Sequence, residues 1–190
     1  SFPESFKEDV PANNAVAHLK ILESLESQAP GAIKVSMYTP ESPEEGTRRF
    51  TIYRVDSAIT LSAVLPMLHD LGVEVIDERA YDLRRKDQPV AWVYDFGLRF
   101  DDSKAPEQET LSERFCETFM ATWHGDVDSD PFNGLVIKAG LSARNVGIIR
   151  AYAAYLRQAG TPFSQGYLQQ VLLSNINIVQ LLVQLFAVRF

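Results

Sequence analysis

The sequence predicts an α+β protein, in which a four-stranded antiparallel sheet with two helices is followed by an all-helical C-terminal segment. Over residues 1–100, helical and strand-like apolar patterns alternate in the order helix–strand–strand–helix–strand–strand. From Thr110 onwards the apolar residues recur only at helical spacing. The charge changes as well: residues 1–130 hold 13 basic and all 25 acidic residues, a net of −12, whereas 131–190 carry +5. Such a shift indicates two units with different surroundings.

The helices and strands of the first part follow from periodicity and from turn residues. Val16, Leu19, Leu22 and Leu25 form an i, i+3 stripe on the first helix, which Asn13 or Asn14 can cap. Gly72 closes the second helix. The predicted elements are a helix up to residue 28, strands 33–38 and 49–55, a helix 60–71, and strands 73–83 and 90–100.

This order matches a ferredoxin-like sandwich that has been circularly permuted. The usual ferredoxin-like chain begins with a strand, whereas here residues 90–100 would supply that strand at the end. The predicted strand order across the sheet is therefore 73–83, 90–100, 49–55, 33–38.

The C-terminal segment is predicted to hold about five helices. Thr110 with Glu113 matches a capping box, and Asp130-Pro131 matches a helix start with proline at its first position. Three further helices are predicted over 142–159, 164–174 and 177–190. The last is apolar nearly all round, which predicts that it is buried in a larger assembly. We therefore expect that the chain is cut from a longer protein and that this helix associates with a second copy.

Composition excludes several classes of function. A pI near 5.0 disfavours nucleic acid as a partner, because phosphate binding needs clustered Lys and Arg. We expect a cytoplasmic protein: the sequence has no run of about 20 apolar residues, its N-terminus lacks a signal-peptide pattern, and Cys116 is its only cysteine. The scattered glycines form neither G-x-G-x-x-G nor a Walker loop, so no cofactor is predicted to bind this chain.

No metal site or catalytic residue is predicted either. Asp126, Asp128 and Asp130 resemble the opening of a calcium loop, but Pro131 and Ile137 stand where that loop needs glycine and glutamate. The histidines, at positions 18, 69 and 124, lack a second ligand at metal-binding spacing and are expected at helix surfaces or ends. Cys116, between two phenylalanines of one helix, is expected to act as a small apolar residue.

Arg150 and Arg157 lie two turns apart on one helix. Two arginines on one face can clamp a carboxylate or a phosphate. The alternative, which we favour, is that they pair with the acidic first part of the chain or with a neighbouring domain.

Four blocks of sequence, in order, resemble the very large bacterial NAD-dependent glutamate dehydrogenases. They are LSAVLPMLHDLGVEVIDERAYDL (61–83), VYDFGL (93–98), FNGLVIKAGLSARNV (132–146) and RAYAAYLRQAGTPFSQGYL (150–168). The resemblance implies the regulatory region ahead of the catalytic domain, where ACT-like modules of ferredoxin-like fold precede a helical segment. It therefore implies an ACT-like domain over 1–105 and a helical segment over 106–190.

The parent enzyme implied by this resemblance would oxidise L-glutamate to 2-oxoglutarate and ammonium with NAD as its cofactor. Its catalytic lysine sits in a glycine-rich segment that matches none of the six lysines here, so no catalytic residue is carried over. ACT modules pair through their sheets and often bind amino acids.

Two loops are candidates for binding an amino-acid effector. The first is Asp56–Thr60, because loop amides ahead of a helix can hold the carboxylate of an amino acid. The second is the segment of Asp95 and Gly97, where Asp95 can accept hydrogen bonds from the ammonium group. The leading hypothesis is thus a non-catalytic regulatory or assembly module. Its expected partners are an amino-acid effector, other regions of the same polypeptide and further copies of the chain. Two alternatives stay open: a protein-interaction scaffold without a ligand, and an independent enzyme whose pocket is lined by Asp95, Arg150 and Arg157.

Overall fold

The computed structural model describes residues 6, 10, 12–26, 31–40, 47–84, 89–101 and 108–190. By contact density the chain divides into two compact units. One comprises Ser1–Val64 and Val75–Leu98, and holds the sheet. The other comprises Leu65–Glu74 and Arg99–Phe190, and is helical. The boundary expected near residue 105 stays a prediction.

The sheet unit is an antiparallel four-stranded sheet with helices, as the sequence predicts. The strands lie side by side in the order β1 (Ile33–Tyr38), β2 (Thr47–Val55), β4 (Ala91–Arg99) and β3 (Glu74–Leu83), which confirms the predicted order and the permuted connectivity. In the antiparallel pair β1–β2, Ile33 lies opposite Arg54 and Tyr38 opposite Arg49. The elements of residues 12–99 are α1 (Ala12–Glu26), β1 (Ile33–Tyr38), β2 (Thr47–Val55), α2 (Leu61–Asp70), β3 (Glu74–Leu83) and β4 (Ala91–Arg99).

Helix α1 packs on one face of the sheet through the C-terminal half of its apolar stripe. Leu22 and Leu25 are buried among side chains that alternate along the strands. Val16, at the other end of the stripe, is 52% exposed. The buried cluster around α1 consists of Phe6, Leu22, Leu25, Tyr53, Val55, Tyr81, Leu83, Ala91 and Val93. The proposed caps Asn13 and Asn14 lie outside the described side chains.

Helix α2 begins in the sheet unit and continues in the helical unit. Its last turn ends at Gly72, which has a φ of +82°. A β-carbon on Gly72 would lie 3.4 Å from the Cα of Gly134, so two backbones meet here without side chains between them. Ser129 also donates a hydrogen bond to Asp70 at 2.7 Å. The end of α2 is therefore packed as a part of the helical unit.

The last three helices of the helical unit follow the predicted ranges to within one residue at each end. Asp130 caps the turn at Pro131 by accepting from the amide of Phe132 at 3.0 Å, and Gly140 ends the next helix in the left-handed conformation. Thr110 does not cap a helix, because the helix already begins two residues earlier. The elements are α3 (Gln108–His124), a 3₁₀ turn (Pro131–Gly134), α4 (Leu135–Ala139), α5 (Ala143–Gln158), α6 (Gln165–Ser174) and α7 (Ile176–Arg189).

In the part of the chain that the structure describes, no single helix has the length and composition of a membrane span. Helices α6 and α7 reach that length and composition only when taken together, and they meet at an angle of 99°.

Candidate functional site

A polar cluster crosses one face of the sheet, with Arg49 at its centre. The Arg49 guanidinium donates to Oδ2 of Asp95 through Nε at 3.0 Å and through Nη2 at 2.6 Å. Its Nη1 donates to Asp77 at 2.7 Å. The hydroxyl of Thr51 donates to Oδ1 of Asp95 at 3.0 Å. The side chains of Arg49 and Asp95 are each only 14% exposed, so this pair is largely withdrawn from water.

Gly97 makes room for this cluster. A β-carbon at Gly97 would overlap the carboxylate of Asp77 and lie 3.0 Å from Nη1 of Arg49. The two charged side chains therefore meet directly above the backbone of β4. Glycine is required here for the close approach of side chains and not for an unusual φ.

Next to this cluster, a chain of hydrogen bonds joins α1 to the sheet. Nδ1 of His18 lies 2.7 Å from the hydroxyl of Tyr53, which lies 3.2 Å from that of Ser36. Burial lowers the pKa of His18 and raises that of Tyr53 to about 12. His18 is thus a buried, neutral partner of Tyr53, and its expected position at a helix surface is wrong.

The other proposed effector loop, Asp56–Thr60, lies between β2 and α2. Asp56 has a φ of +77°, a backbone conformation that residues other than glycine rarely adopt. The amide of Asp56 donates to Val90 and that of Ile59 donates to the hydroxyl of Tyr94, so two of the five loop amides are already used. The Thr60 side chain is exposed and accepts a hydrogen bond from Ser62 at 3.2 Å.

The structure does not bring the two halves of the proposed effector site together. Asp56 pairs with Val90, whereas Asp95 lies beside Thr51, five residues back along β2. At about 3.3 Å per residue in a strand, the two positions are roughly 16 Å apart. Asp95 and Gly97 belong with Arg49 and Asp77, and Asp56 and Thr60 form a separate loop.

In the helical unit, Arg150 is bound to its own chain through Nε and Nη2. Its guanidinium donates to both carboxylate oxygens of Asp130, at 2.8 and 3.0 Å, and to the side-chain oxygen of Asn133 at 2.9 Å. The side chains of Arg150 and Asp130 are 18% and 13% exposed. Arg150 thereby stabilises the turn that Asp130 caps. Its ion pair with Asp130 is one of the two pairings that the sequence analysis favoured, since Asp130 is the last residue of the acidic first part.

Arg157 does not share that partner. It is exposed, and its Nη1 donates to the side-chain oxygen of Gln165 at 2.9 Å. The structure therefore places the two arginines with different partners, Arg150 at the Asp130 turn and Arg157 at the start of α6.

Among the residues that the structure describes, no three His, Cys, Asp or Glu side chains are grouped as metal ligands. Asp130 of the acidic run is used as a cap and as the partner of Arg150. Burial raises the pKa of the half-buried Cys116 to about 12, which keeps its thiol protonated near neutral pH.

Sequence reasoning missed Arg49 and Asp77, the other two charged members of the cluster. The available signal was that each is a charged residue inside a predicted strand. Arg49 lies two residues before Thr51 and so on the same face of the second strand, and Asp77 lies inside the third strand. Charges on the covered face of a strand normally need partners. The identity of those partners depends on strand register, which the sequence does not specify.

Two family models match the chain, and they divide it between them. Residues 32–111 match the ACT3 domain of glutamate dehydrogenase, and residues 127–190 match its helical motif 3. The first range contains the sheet and the Arg49 cluster. The second contains the Asp130 turn and helices α4 to α7.

Curated relatives match over the whole of this chain. Three proteins named NAD-specific glutamate dehydrogenase, from Mycobacterium tuberculosis, Halomonas elongata and Pseudomonas aeruginosa, are 35%, 37% and 34% identical to it. The alignment takes up about 12% of the length of each relative. The chain therefore belongs to the family of NAD-specific glutamate dehydrogenases, as the part that holds the ACT3 domain and helical motif 3.

Proposed function

We propose that this chain is a non-catalytic regulatory and assembly region of an NAD-dependent glutamate dehydrogenase. The longer enzyme would convert L-glutamate, NAD and water to 2-oxoglutarate, ammonium and NADH. Its active site and its NAD would be held by other regions of the same polypeptide. In this proposal the 190 residues contribute binding and packing surfaces and no reacting group.

One observation carries the proposal: the charged groups that an enzyme hypothesis would need are already bound to their own chain. Asp95 accepts three hydrogen bonds from Arg49 and Thr51, and Arg150 is held by Asp130 and Asn133. To bind an anionic substrate, Arg150 would have to give up Asp130, and Asp95 keeps only one acceptor position beyond its hydrogen bonds to Arg49 and Thr51. This engagement supports structural roles for Asp95 and Arg150.

An amino-acid effector is the ligand that we propose for the sheet unit. A carboxylate has about four acceptor positions, and Asp95 uses three of them for side-chain donors, which leaves one for an ammonium. The left-handed Asp56 supports the second locus, because strained non-glycine residues concentrate at binding loops. Since the two loci lie roughly 16 Å apart, one free amino acid would occupy one of them and not both.

The other partners follow from the same proposal. Other regions of the polypeptide and a second copy of the chain are expected to cover its exposed apolar side chains. Arg157, which is exposed and donates to Gln165, is the arginine that we propose for an interdomain contact. We propose a cytoplasmic enzyme without nucleic-acid or membrane partners. The alternative, a scaffold without a ligand, is favoured if neither locus binds an amino acid.

Calorimetry and activity measurements on the 190-residue chain test the proposal. We expect no saturable binding of millimolar NAD, no glutamate-dependent formation of NADH, and saturable binding of one member of an amino-acid panel. Asp95→Asn should weaken that binding, whereas Asp82→Asn, at a half-buried strand position where the carboxylate pairs with Arg84, should leave it unchanged. Turnover by the isolated chain would overturn the non-catalytic assignment. Binding that is insensitive to Asp95→Asn would move the effector to the Asp56 loop.

A further inference from the structure

A branched chain of hydrogen bonds runs without a break from helix α1 to the Asp95 carboxylate. Nδ1 of His18, on α1, lies 2.7 Å from the hydroxyl oxygen of Tyr53. That oxygen lies 3.2 Å from the hydroxyl of Ser36, and it also forms a hydrogen bond with the hydroxyl of Thr51, which stands opposite Ser36 in the β1–β2 pair. Thr51 in turn donates to Oδ1 of Asp95 at 3.0 Å. The chain lies wholly within the sheet unit.

The number of hydrogens available to this chain decides its direction. Thr51, Tyr53 and His18 are buried, so the side chains have to satisfy one another. Each of the three hydroxyls supplies one hydrogen, and the carboxylate, which is ion-paired with Arg49, only accepts. The chain has four contacts and therefore needs four hydrogens. The fourth hydrogen has to come from Nδ1 of His18.

This count fixes the donor of every contact. Nδ1–H of His18 donates to Tyr53, Tyr53 donates to Thr51, and Thr51 donates to Asp95. Ser36 donates to Tyr53 as well, and the phenolic oxygen has the two acceptor positions that this arrangement requires. A neutral imidazole carries a hydrogen on only one of its two nitrogens. His18 is therefore the Nδ1–H tautomer, with Nε2 unprotonated.

The count changes when the group at position 95 can donate. A neutral carboxyl, or the amide introduced by Asp95→Asn, offers a hydrogen to Thr51. Thr51 can then donate to Tyr53, and Tyr53 to Nδ1 of His18, so the imidazole hydrogen moves to Nε2. Arg49 does not oppose this reversal, because its guanidinium donates to Oδ2, the other oxygen of Asp95. The same four contacts thus exist in two directions.

We propose that this chain is a two-state hydrogen-bond relay, in which the charge at Asp95 sets the tautomer of His18 on α1. The relay is a property of the chain without a ligand, so it does not depend on the proposed effector. It links α1 to the locus at which we place the ammonium group of that effector. Since coupling between two sites is reciprocal, a change at His18 alters the binding of a cation to Asp95.

Nitrogen NMR of the 190-residue chain tests the relay directly. Long-range ¹H–¹⁵N spectra at about pH 8, where histidine is neutral, show which imidazole nitrogen is unprotonated. His18→Gln assigns the signal, and the exposed His69 and His124 serve as internal references. We expect Nε2 to be the unprotonated nitrogen of His18. An unprotonated Nδ1 would overturn the proposal.

Three variants test the count of hydrogens. Asp95→Asn adds a donor, and Thr51→Val leaves two contacts for two hydroxyl hydrogens, so in both the unprotonated nitrogen of His18 should change from Nε2 to Nδ1. The matched control is Ser36→Ala, which also removes one hydroxyl from the chain. It leaves three contacts for two hydroxyl hydrogens, so His18 still has to donate and its tautomer should stay unchanged.

Circular dichroism checks that each variant stays folded. If Asp95→Asn unfolds because Arg49 loses its partner, Thr51→Val decides alone, since valine matches the shape of this completely buried side chain. A folded Thr51→Val variant that keeps Nδ1–H refutes the relay. A change of tautomer in Ser36→Ala refutes it too, because loss of any contact would then suffice. Amino-acid binding is measured separately by calorimetry, so a relay that fails leaves the regulatory role standing.

Discussion

The Arg49–Asp95 pair is the strongest test of how the sheet unit is held together. Arg49→Ala removes two hydrogen bonds to Oδ2 of Asp95, one to its backbone carbonyl at 3.1 Å, and the Asp77 contact. The Asp95 side chain, which is 14% exposed while Arg49 is present, then keeps the Thr51 hydroxyl as its side-chain donor. Breaking one side of a buried ion pair costs about 3–5 kcal/mol. Because this pair retains some exposure, we expect about 3 kcal/mol.

Urea unfolding measures this loss in the unit where it arises. Trp92 lies in β4 of the sheet unit and Trp123 in α3 of the helical unit, so single-tryptophan variants made with Trp→Phe report on each unit separately. A loss of 3 kcal/mol corresponds to a decrease in the melting temperature of roughly 6–12 °C for a chain of this size. The Trp92 signal should show the full effect.

The controls separate the guanidinium fork from simple charge. Arg49→Lys keeps the charge but lacks the planar set of donors that reaches Oδ2 of Asp95 through Nε and Nη2 and Asp77 through Nη1, so it should retain only part of the stability. Asp77→Ala, at a side chain that is 43% exposed, should cost less than about 1 kcal/mol. In a double-mutant cycle, Arg49→Ala with Asp95→Ala should show a coupling of at least about 1.5 kcal/mol. Equal, small losses for Arg49→Ala and Asp77→Ala would refute the reasoning.

Three further changes test other parts of the sheet unit. Gly97→Ala should push the Asp77 carboxylate away and cost about 1 kcal/mol in urea unfolding, and an increase in stability would contradict the close approach at this position. Burial lowers the pKa of His18 in the folded state, so the unfolded state binds more protons below the ordinary histidine pKa of 6.5. The free energy of unfolding should therefore fall as the pH drops from 7.5 to 5.5. His18→Gln should flatten that dependence, and an unchanged slope would count against a neutral His18. Asp56→Gly should raise stability by about 0.5–1 kcal/mol if the left-handed conformation is strained, and a thermal melt that shows a loss would assign Asp56 a favourable contact instead.

Local patterns predicted the elements well because their causes lie within a few residues. Gly72 at the end of α2 and the Asp130-Pro131 start each act over a single turn. The strand order was also predictable, because few connections are compatible with the observed sequence of helices and strands. His18 was misplaced for the converse reason: its partner, Tyr53, is 35 residues away.

The candidate site depended on long-range contacts that no local pattern contains. Asp95 was identified from the sequence as an acidic residue beside a glycine, but its partner Arg49 is 46 residues away along the chain. The last helix was likewise predicted only as apolar nearly all round, and the burial of Val179 and the contact between Phe186 and Tyr152 decide which of its sides packs on the helical unit. Periodicity and turn chemistry thus determined the helices, the strands and their order by themselves. Tertiary packing alone decided the partner of each charge and the side of each helix that stays exposed, because both depend on which distant residues the fold brings together.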